Sequence, residues 1–113
     1  MNGEPDLWIG GQWRHASDGG TREIINPADG SVVAVVDEAT PDDARDAVAA
    51  ACRAFDDGAW PSTPVTERAA LLDRVADLLE RDKELLAELE TRDTGKTLAE
   101  SRIDIDDVTA VFR

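Results

Sequence analysis

Apolar residues recur every second position over the first third of the chain and every third or fourth position over the rest. Leu7-Trp8-Ile9 and Gln12-Trp13-Arg14 flank Gly10-Gly11, and a period of two sets Leu7, Ile9 and Trp13 on one face of a strand pair. Ser17-Asp18-Gly19-Gly20 reads as a turn, because glycine accepts the positive φ of a tight reversal. Arg22-Glu23-Ile24-Ile25 is a further strand, closed by Asn26-Pro27-Ala28-Asp29-Gly30, where proline cannot donate to a ladder and Asp-Gly turns the chain. Val32-Val33-Ala34-Val35-Val36 is β-branched and apolar on both faces, so cover on both sides is expected. Residues 7–36 thus predict a small antiparallel β-meander.

From residue 41 to 113 the pattern is helical, and three α-helices are expected. Thr40-Pro41-Asp42-Asp43 combines a threonine cap, a proline in the first turn and acids where the helix dipole favours them. Ala44, Val48, Ala51, Cys52 and Phe55 form one apolar stripe, and Asp57-Gly58 ends the helix. After Trp60-Pro61 a second helix starts near Thr63-Pro64 and runs to about Arg92. Its broad apolar face carries Leu71, Leu72, Val75, Leu78, Leu79, Leu85, Leu86 and Leu89, and Gly95 stops it. Thr97-Leu98-Ala99-Glu100 is a capping box opening a third helix with Leu98, Ile105, Val108, Val111 and Phe112 towards a partner. That pattern is still running at Val111-Phe112-Arg113, with no glycine, asparagine or proline to close it, so a truncated domain is expected.

Composition narrows the class. An apolar share of 42% and a charged share of 33% suit a soluble globular protein. A net charge of -13 repels phosphate backbones and anionic lipid heads, which argues against nucleic-acid and membrane partners. The acids are spread along helical stretches, as on a solvated surface. A single cysteine, Cys52, leaves no intrachain disulfide. The acidic start, Met1 to Asp6, lacks the basic head and apolar run of a signal peptide, and no stretch nears the roughly 20 apolar residues of a membrane helix. The cytoplasm is the expected location.

Gly95-Lys96-Thr97 imitates the end of a phosphate loop, but Glu90 stands where the first glycine belongs, and a leucine-rich helix replaces the preceding strand. Cys52 lies inside an alanine-rich helical stripe, where a thiol serves as a small apolar filler rather than an activated nucleophile. His15 is the only histidine and is read as a surface residue, so zinc has little support. Asp104, Asp106 and Asp107 lack the glycine and terminal glutamate of a calcium loop and read as a solvated helix face. Trp8, Trp13 and Trp60 fit core anchors better than a stacking surface. No nucleophile–base pair, metal cluster or dinucleotide loop emerges, so no catalytic and no cofactor-binding residue is assigned.

The order of segments carries more information than any one motif. Leu7-Trp8-Ile9-Gly10-Gly11-Gln12-Trp13, the Ile24-Ile25-Asn26-Pro27-Ala28-Asp29-Gly30 turn, and Val32–Val36 come first. They are followed by Ala44 to Phe55, Trp60, Glu67-Arg68, Leu71-Leu72, Ala76 to Glu80, and Leu89-Glu90-Thr91-Arg92-Asp93-Thr94-Gly95-Lys96-Thr97-Leu98-Ala99-Glu100. In this order and spacing, from Leu7 onward, the chain resembles the N-terminal segment of NAD(P)-dependent aldehyde dehydrogenases, betaine-aldehyde-type members among them. Arg92 and Thr97 depart from the leucine and proline of many members.

The resemblance implies an α/β family fold with a Rossmann-type coenzyme domain, of which residues 1–113 are the N-terminal part. It implies an oxidoreductase that converts an aldehyde to a carboxylic acid with NAD or NADP. A cysteine thiolate attacks the carbonyl to give a thiohemiacetal, a glutamate activates water, and an asparagine and a backbone amide hold the oxyanion. Those groups lie downstream in the family, and Cys52 does not match the nucleophile, so the fragment is expected to be inactive. The resemblance further implies a small-molecule aldehyde substrate, a homodimeric or homotetrameric parent enzyme, and a potassium or sodium ion held by the Ile24 and Ile25 carbonyls and by Asp93, whose oxygens suit a hard cation. Set against this stands a stand-alone acidic α+β interaction module that kept the helices and lost the chemistry.

Overall fold

The computed structural model describes residues 4–113. Its contacts fall into two compact units, one holding the described residues up to Ile24 together with Val32–Ser62, the other Ile25–Ser31 with Thr63–Arg113. Element type and packing therefore divide the chain differently: the first helix groups with the strands.

In the first unit, β1 (Leu7–Ile9) and β2 (Gln12–Arg14) form an antiparallel hairpin. Gly10 and Gly11 make the two-residue turn at φ 62° and 81°, the doubly positive geometry that matches strand twist. The register pairs Leu7 with Arg14, Trp8 with Trp13 and Ile9 with Gln12. Directly opposed residues share a face, so Trp13 sides with Trp8 and not with Leu7 and Ile9. Counting in twos through a two-residue turn had put it on the wrong side. The two indoles meet at 5.0 Å between ring centres, inclined by 59°.

β3 (Thr21–Ile25) and β4 (Val32–Asp37) form a second two-stranded sheet. The expected meander is thus two separate hairpins. Between β2 and β3 the backbone donors are claimed elsewhere: the Ala16 amide bonds Asp37, the Ser17 amide bonds Asp43, and the Gly20 amide bonds Asp18. The chain is drawn towards the end of β4 and the start of the next helix instead of back along β2. β4 is half-buried from Val33 to Val36, with Val32 exposed, so it is not enclosed on both faces.

α1 (Pro41–Asp56) begins with a capping box, Thr40 Oγ1 accepting from the Asp43 amide and the Asp43 carboxylate accepting from the Thr40 amide. Asp43, Ala47 and Ala50 turn inward, and Ala50 Cβ lies 3.8 Å from where a Gly10 Cβ would stand. The stripe of Ala44, Val48, Cys52 and Phe55 is exposed, with Phe55 73% accessible. A short 3-10 turn, Trp60–Ser62, follows.

The second unit packs α2 (Val65–Arg81), α3 (Lys83–Thr94) and α4 (Leu98–Phe112), with α4 against both of the others. The single long helix expected from 63 to 92 is two helices, giving four α-helices among the described residues. The break is Asp82, at φ -98° and ψ 10°, whose carboxylate accepts from Arg81 Nε at 2.8 Å and Nη2 at 2.7 Å. Aspartate ranks low among helix-interior residues, a preference that apolar periodicity does not register. Fully buried here are Ala76, Ala87 and Ser101, and the Ser101 hydroxyl lies 2.9 Å from that of Thr91. Val75, Leu79 and Leu86 are half-buried, whereas Leu71, Leu72, Leu78, Leu85 and Leu89 remain exposed.

Both end signals hold. Gly95 closes α3 at φ 78°, its amide bonding the Thr91 carbonyl at 2.9 Å, and Thr97 with Glu100 forms the capping box of α4. Gly95 is constrained twice, because an added Cβ would come 2.8 Å from Pro27 Cγ. Gly95→Ala should therefore cost more than the roughly 1–2 kcal/mol of a left-handed non-glycine residue alone, read as a fall in urea midpoint. Gly19→Ala, at φ 73° with open space around it, provides the backbone-only comparison.

Candidate functional site

The first polar focus is Asp43, whose side chain has no exposed surface. Its Oδ2 accepts from the Ser17 amide at 3.0 Å, the Thr40 amide at 2.9 Å, and the hydroxyls of Ser17 and Thr40; its Oδ1 accepts from Arg14 Nη2 at 2.6 Å. The amide bonds from Ser17 and Thr40, then the Thr40 hydroxyl and Arg14, hold this carboxyl far below its ordinary range against the opposing pull of burial. Arg14 also bonds Asp46 at 3.1 Å, and both carboxylates hold its guanidinium above its ordinary pKa. Three segments meet on one anion: the end of β2, the Ser17 turn and the start of α1. Sequence reading gave Asp43 only a helix-dipole role. The capping-box pattern was visible, but the partners Arg14 and Ser17 are distant in sequence.

A second focus is Asp37, at the end of β4. Its carboxylate accepts from the Asp6 amide at 3.0 Å and the Ala16 amide at 3.1 Å, while its own amide bonds the Asp6 carboxylate at 3.2 Å. Those two amides, with His15 Nδ1 at 3.1 Å, hold the Asp37 carboxyl below its usual value. His15 is exposed and joined to the fold through this contact.

The third focus is the Asn-Pro turn. Asn26 Oδ1 accepts from the Ala28 amide at 2.9 Å, the Asn26 amide bonds the Ser31 carbonyl and the Gly30 amide bonds the Asn26 carbonyl, each at 2.8 Å. Asp29 Oδ1 accepts from the Ser31 hydroxyl at 2.6 Å and amide at 2.9 Å, which hold its carboxyl below the usual range. Gly95 meets this turn at Pro27, so the end of α3, with Asp93, lies beside the loop that follows Ile25. Asp93 is exposed, and among the described residues no group bonds its carboxylate. Ile25 belongs to the same unit as Asp93, and Ile24 to the other.

The remaining sequence candidates take structural positions. Lys96 is held by Glu90 at 3.0 Å and by Asp104, and these two carboxylates raise its pKa above the ordinary lysine value. Its ammonium faces carboxylates, the opposite of a phosphate cradle. Asp106 bonds Lys83 at 2.7 Å, so Asp104 and Asp106 diverge to separate lysines. Cys52 is exposed, which corrects its reading as a small apolar filler. Trp8, Trp13 and Trp60 are also exposed, which corrects their reading as core anchors. Trp8, Ile9, Gly10 and Gly11 face Ala47, Ala50 and Ala54 across an open cleft of about 470 Å³, with Arg53 at its edge. None of these groups pairs a nucleophile with a base.

Two hairpins and a capped helix thus precede three packed helices along the chain. Residues 13–113 match the aldehyde dehydrogenase family, and the chain belongs to that family. Its sequence is 48% identical over 107 residues to betaine aldehyde dehydrogenase from Bacillus subtilis (strain 168), covering 95% of this chain and 22% of that protein. Mitochondrial benzaldehyde dehydrogenase from Antirrhinum majus is 39% identical over 108 residues, 95% of this chain and 20% of the relative. Among solved structures, betaine aldehyde dehydrogenase from Staphylococcus aureus in complex with NAD+ superposes with a TM-score of 0.90 at 43% identity, over 93% of this chain and 21% of that one. An NAD-dependent aldehyde dehydrogenase from Sinorhizobium meliloti gives 0.91 at 37% identity, over 96% and 22%. The chain thus spans about a fifth of the length of the curated relatives it matches.

The lowered pKa values of Asp43 and Asp37 set a pH dependence. The unfolded carboxyls, near the ordinary value of about 3.9, take up protons before the folded ones. The stability these groups contribute is therefore complete above about pH 5 and is lost as pH falls through and below that range. Asp43→Asn should lower the melting temperature at neutral pH and flatten its decline under acid, whereas Asp46→Asn, at an exposed site, should do neither. Matching acid profiles for Asp43→Asn and the parent would refute the assignment.

Proposed function

We propose that this chain is the leading portion of an NAD(P)-dependent aldehyde dehydrogenase that oxidises an aldehyde to a carboxylic acid, and that its own residues supply framework rather than chemistry. The observation that carries this reading is the near-complete match of the chain to a betaine aldehyde dehydrogenase of which it covers only 22%. The reactive cysteine, the glutamate that activates water and the oxyanion donors belong to the remainder of the enzyme. The nicotinamide cofactor, when bound, accepts the hydride. The NAD+ complex of the Staphylococcus aureus relative makes NAD the first cofactor to test, with NADP second, and betaine aldehyde the first substrate. A cytoplasmic homodimer or homotetramer completes the reading; among the described residues no helix is long and apolar enough to cross a membrane.

The residues also fit a monovalent cation. Asp93 is an exposed carboxylate free of protein partners among the described residues, at the end of a helix whose Gly95 abuts the turn after Ile25. The Ile24 and Ile25 carbonyls and this carboxylate would offer oxygen donors only, the chemistry potassium or sodium prefers.

Two experiments test these proposals. The 113-residue chain incubated with betaine aldehyde and either nicotinamide should form no reduced cofactor, and turnover by the chain alone would overturn the framework reading. In the full-length enzyme, potassium chloride should raise the melting temperature above that in choline chloride at equal ionic strength. Asp93→Asn should abolish most of that difference, and an unchanged difference would reject the cation site.

A further inference from the structure

The sequence contains three Asp-Gly pairs, Asp18-Gly19, Asp29-Gly30 and Asp57-Gly58. Such pairs isomerise without an enzyme: the glycine amide nitrogen attacks the aspartyl Cγ, a C–N bond forms, and the Cγ–O bond breaks with loss of water. Hydrolysis of the resulting succinimide at either carbonyl returns aspartate or yields isoaspartate, with no net change in mass and no oxidant or reductant. Glycine favours the step because its nitrogen approaches without hindrance from a Cβ. Reaction needs a nitrogen free to leave its hydrogen bond and a carboxyl free to rotate onto it.

The fold treats the three pairs differently. At Asp18-Gly19 the glycine amide bonds the Ala16 carbonyl at 2.9 Å, and the carboxylate accepts from the Gly20 amide at 2.8 Å. At Asp29-Gly30 the glycine amide bonds the Asn26 carbonyl at 2.8 Å, and the carboxylate is held by the Ser31 amide and hydroxyl at 2.9 and 2.6 Å. The same bonds keep the Asp29 carboxyl ionised, and the carboxylate anion is the unreactive form. Nucleophile and electrophile are tied down in both pairs.

At Asp57-Gly58 neither is. Asp57 caps α1 through its own amide, which bonds the Arg53 carbonyl at 2.9 Å. Among the described residues, no group accepts from the Gly58 amide and none bonds the Asp57 carboxylate, and both residues are exposed. Substitution at position 58 is no escape, because a Cβ there would come 2.1 Å from the Ala54 carbonyl oxygen.

We propose that Asp57-Gly58 is a site of spontaneous succinimide formation and isoaspartate conversion in the folded protein, and that the other two Asp-Gly pairs are protected by their hydrogen bonds. Conversion inserts a methylene into the main chain between the end of α1 and the Trp60–Ser62 turn.

The test is to age the purified protein under folding conditions at mildly acidic pH. It is then digested with a protease that cleaves before aspartate but not before isoaspartate, and the equal-mass peptide pairs are separated. Isoaspartate should accumulate several-fold faster at position 57 than at 18 or 29, and Asp57→Glu should remove the product from that peptide. In denaturant the three pairs should age at similar rates, which assigns the difference to the fold. Equal ageing of the three sites in the folded protein, faster ageing at 18 or 29, or persistence of the 57 selectivity in denaturant would each overturn the proposal. Change at Asn2-Gly3 is distinguishable, since loss of an amide alters the mass.

Discussion

Close packing through small side chains is the constraint on which each of the two units rests. Among the described residues the buried apolar positions are Ala16, Ala76 and Ala87, and Ser101 adds a small polar one. Gly95 against Pro27 and Gly10 near Ala50 extend the same theme. An alanine contributes only a fraction of the 1.5–3 kcal/mol typical of a buried large aliphatic or aromatic side chain. Many larger apolar groups, Val48, Phe55, Leu85, Ile103 and Val111 among them, are exposed, and others such as Val75, Leu79 and Leu86 are half-buried. With so little apolar burial, positional definition comes from caps and buried polar contacts.

Asp43 shows how this works. A withdrawn carboxylate is tolerable only where hydrogen bonds replace its hydration, and two backbone amides, two hydroxyls and a guanidinium do so here. Each bond also fixes a chain direction, so the end of β2 and the Ser17 turn are located relative to the first turn of α1. Asp37 repeats the arrangement at the end of β4 through its exchange of bonds with Asp6. Acidic composition, read from the sequence as solvated surface, thus includes two side chains with a defined internal task.

What could be read beforehand followed from short-range rules. The Thr40 cap, the Thr97 capping box, the Gly95 stop and the Gly10-Gly11 turn depend on neighbours within a few residues, and each stands where the pattern put it. The Asp82 break rests on a weak local preference, and the separation of the two hairpins and the partners of Asp43 rest on residues about twenty to thirty positions apart. Apolar periodicity found the apolar stripes of α1 and α2 but not which positions turn inward, because a stripe announces only that a partner is wanted. The family was legible from segment order alone, and the match over residues 13–113 agrees with it.

The way α4 leans on both α2 and α3, while those two meet each other far less, has a consequence for synthesis on the ribosome. Emerging from the exit tunnel, the two earlier helices have little to hold them together until the third arrives. Their leucine rows stay open to chaperones or to wrong partners during that interval. The delay is only the time needed to translate the stretch from Gly95 to Phe112, so placing the common partner immediately after them in the chain keeps this vulnerable period short.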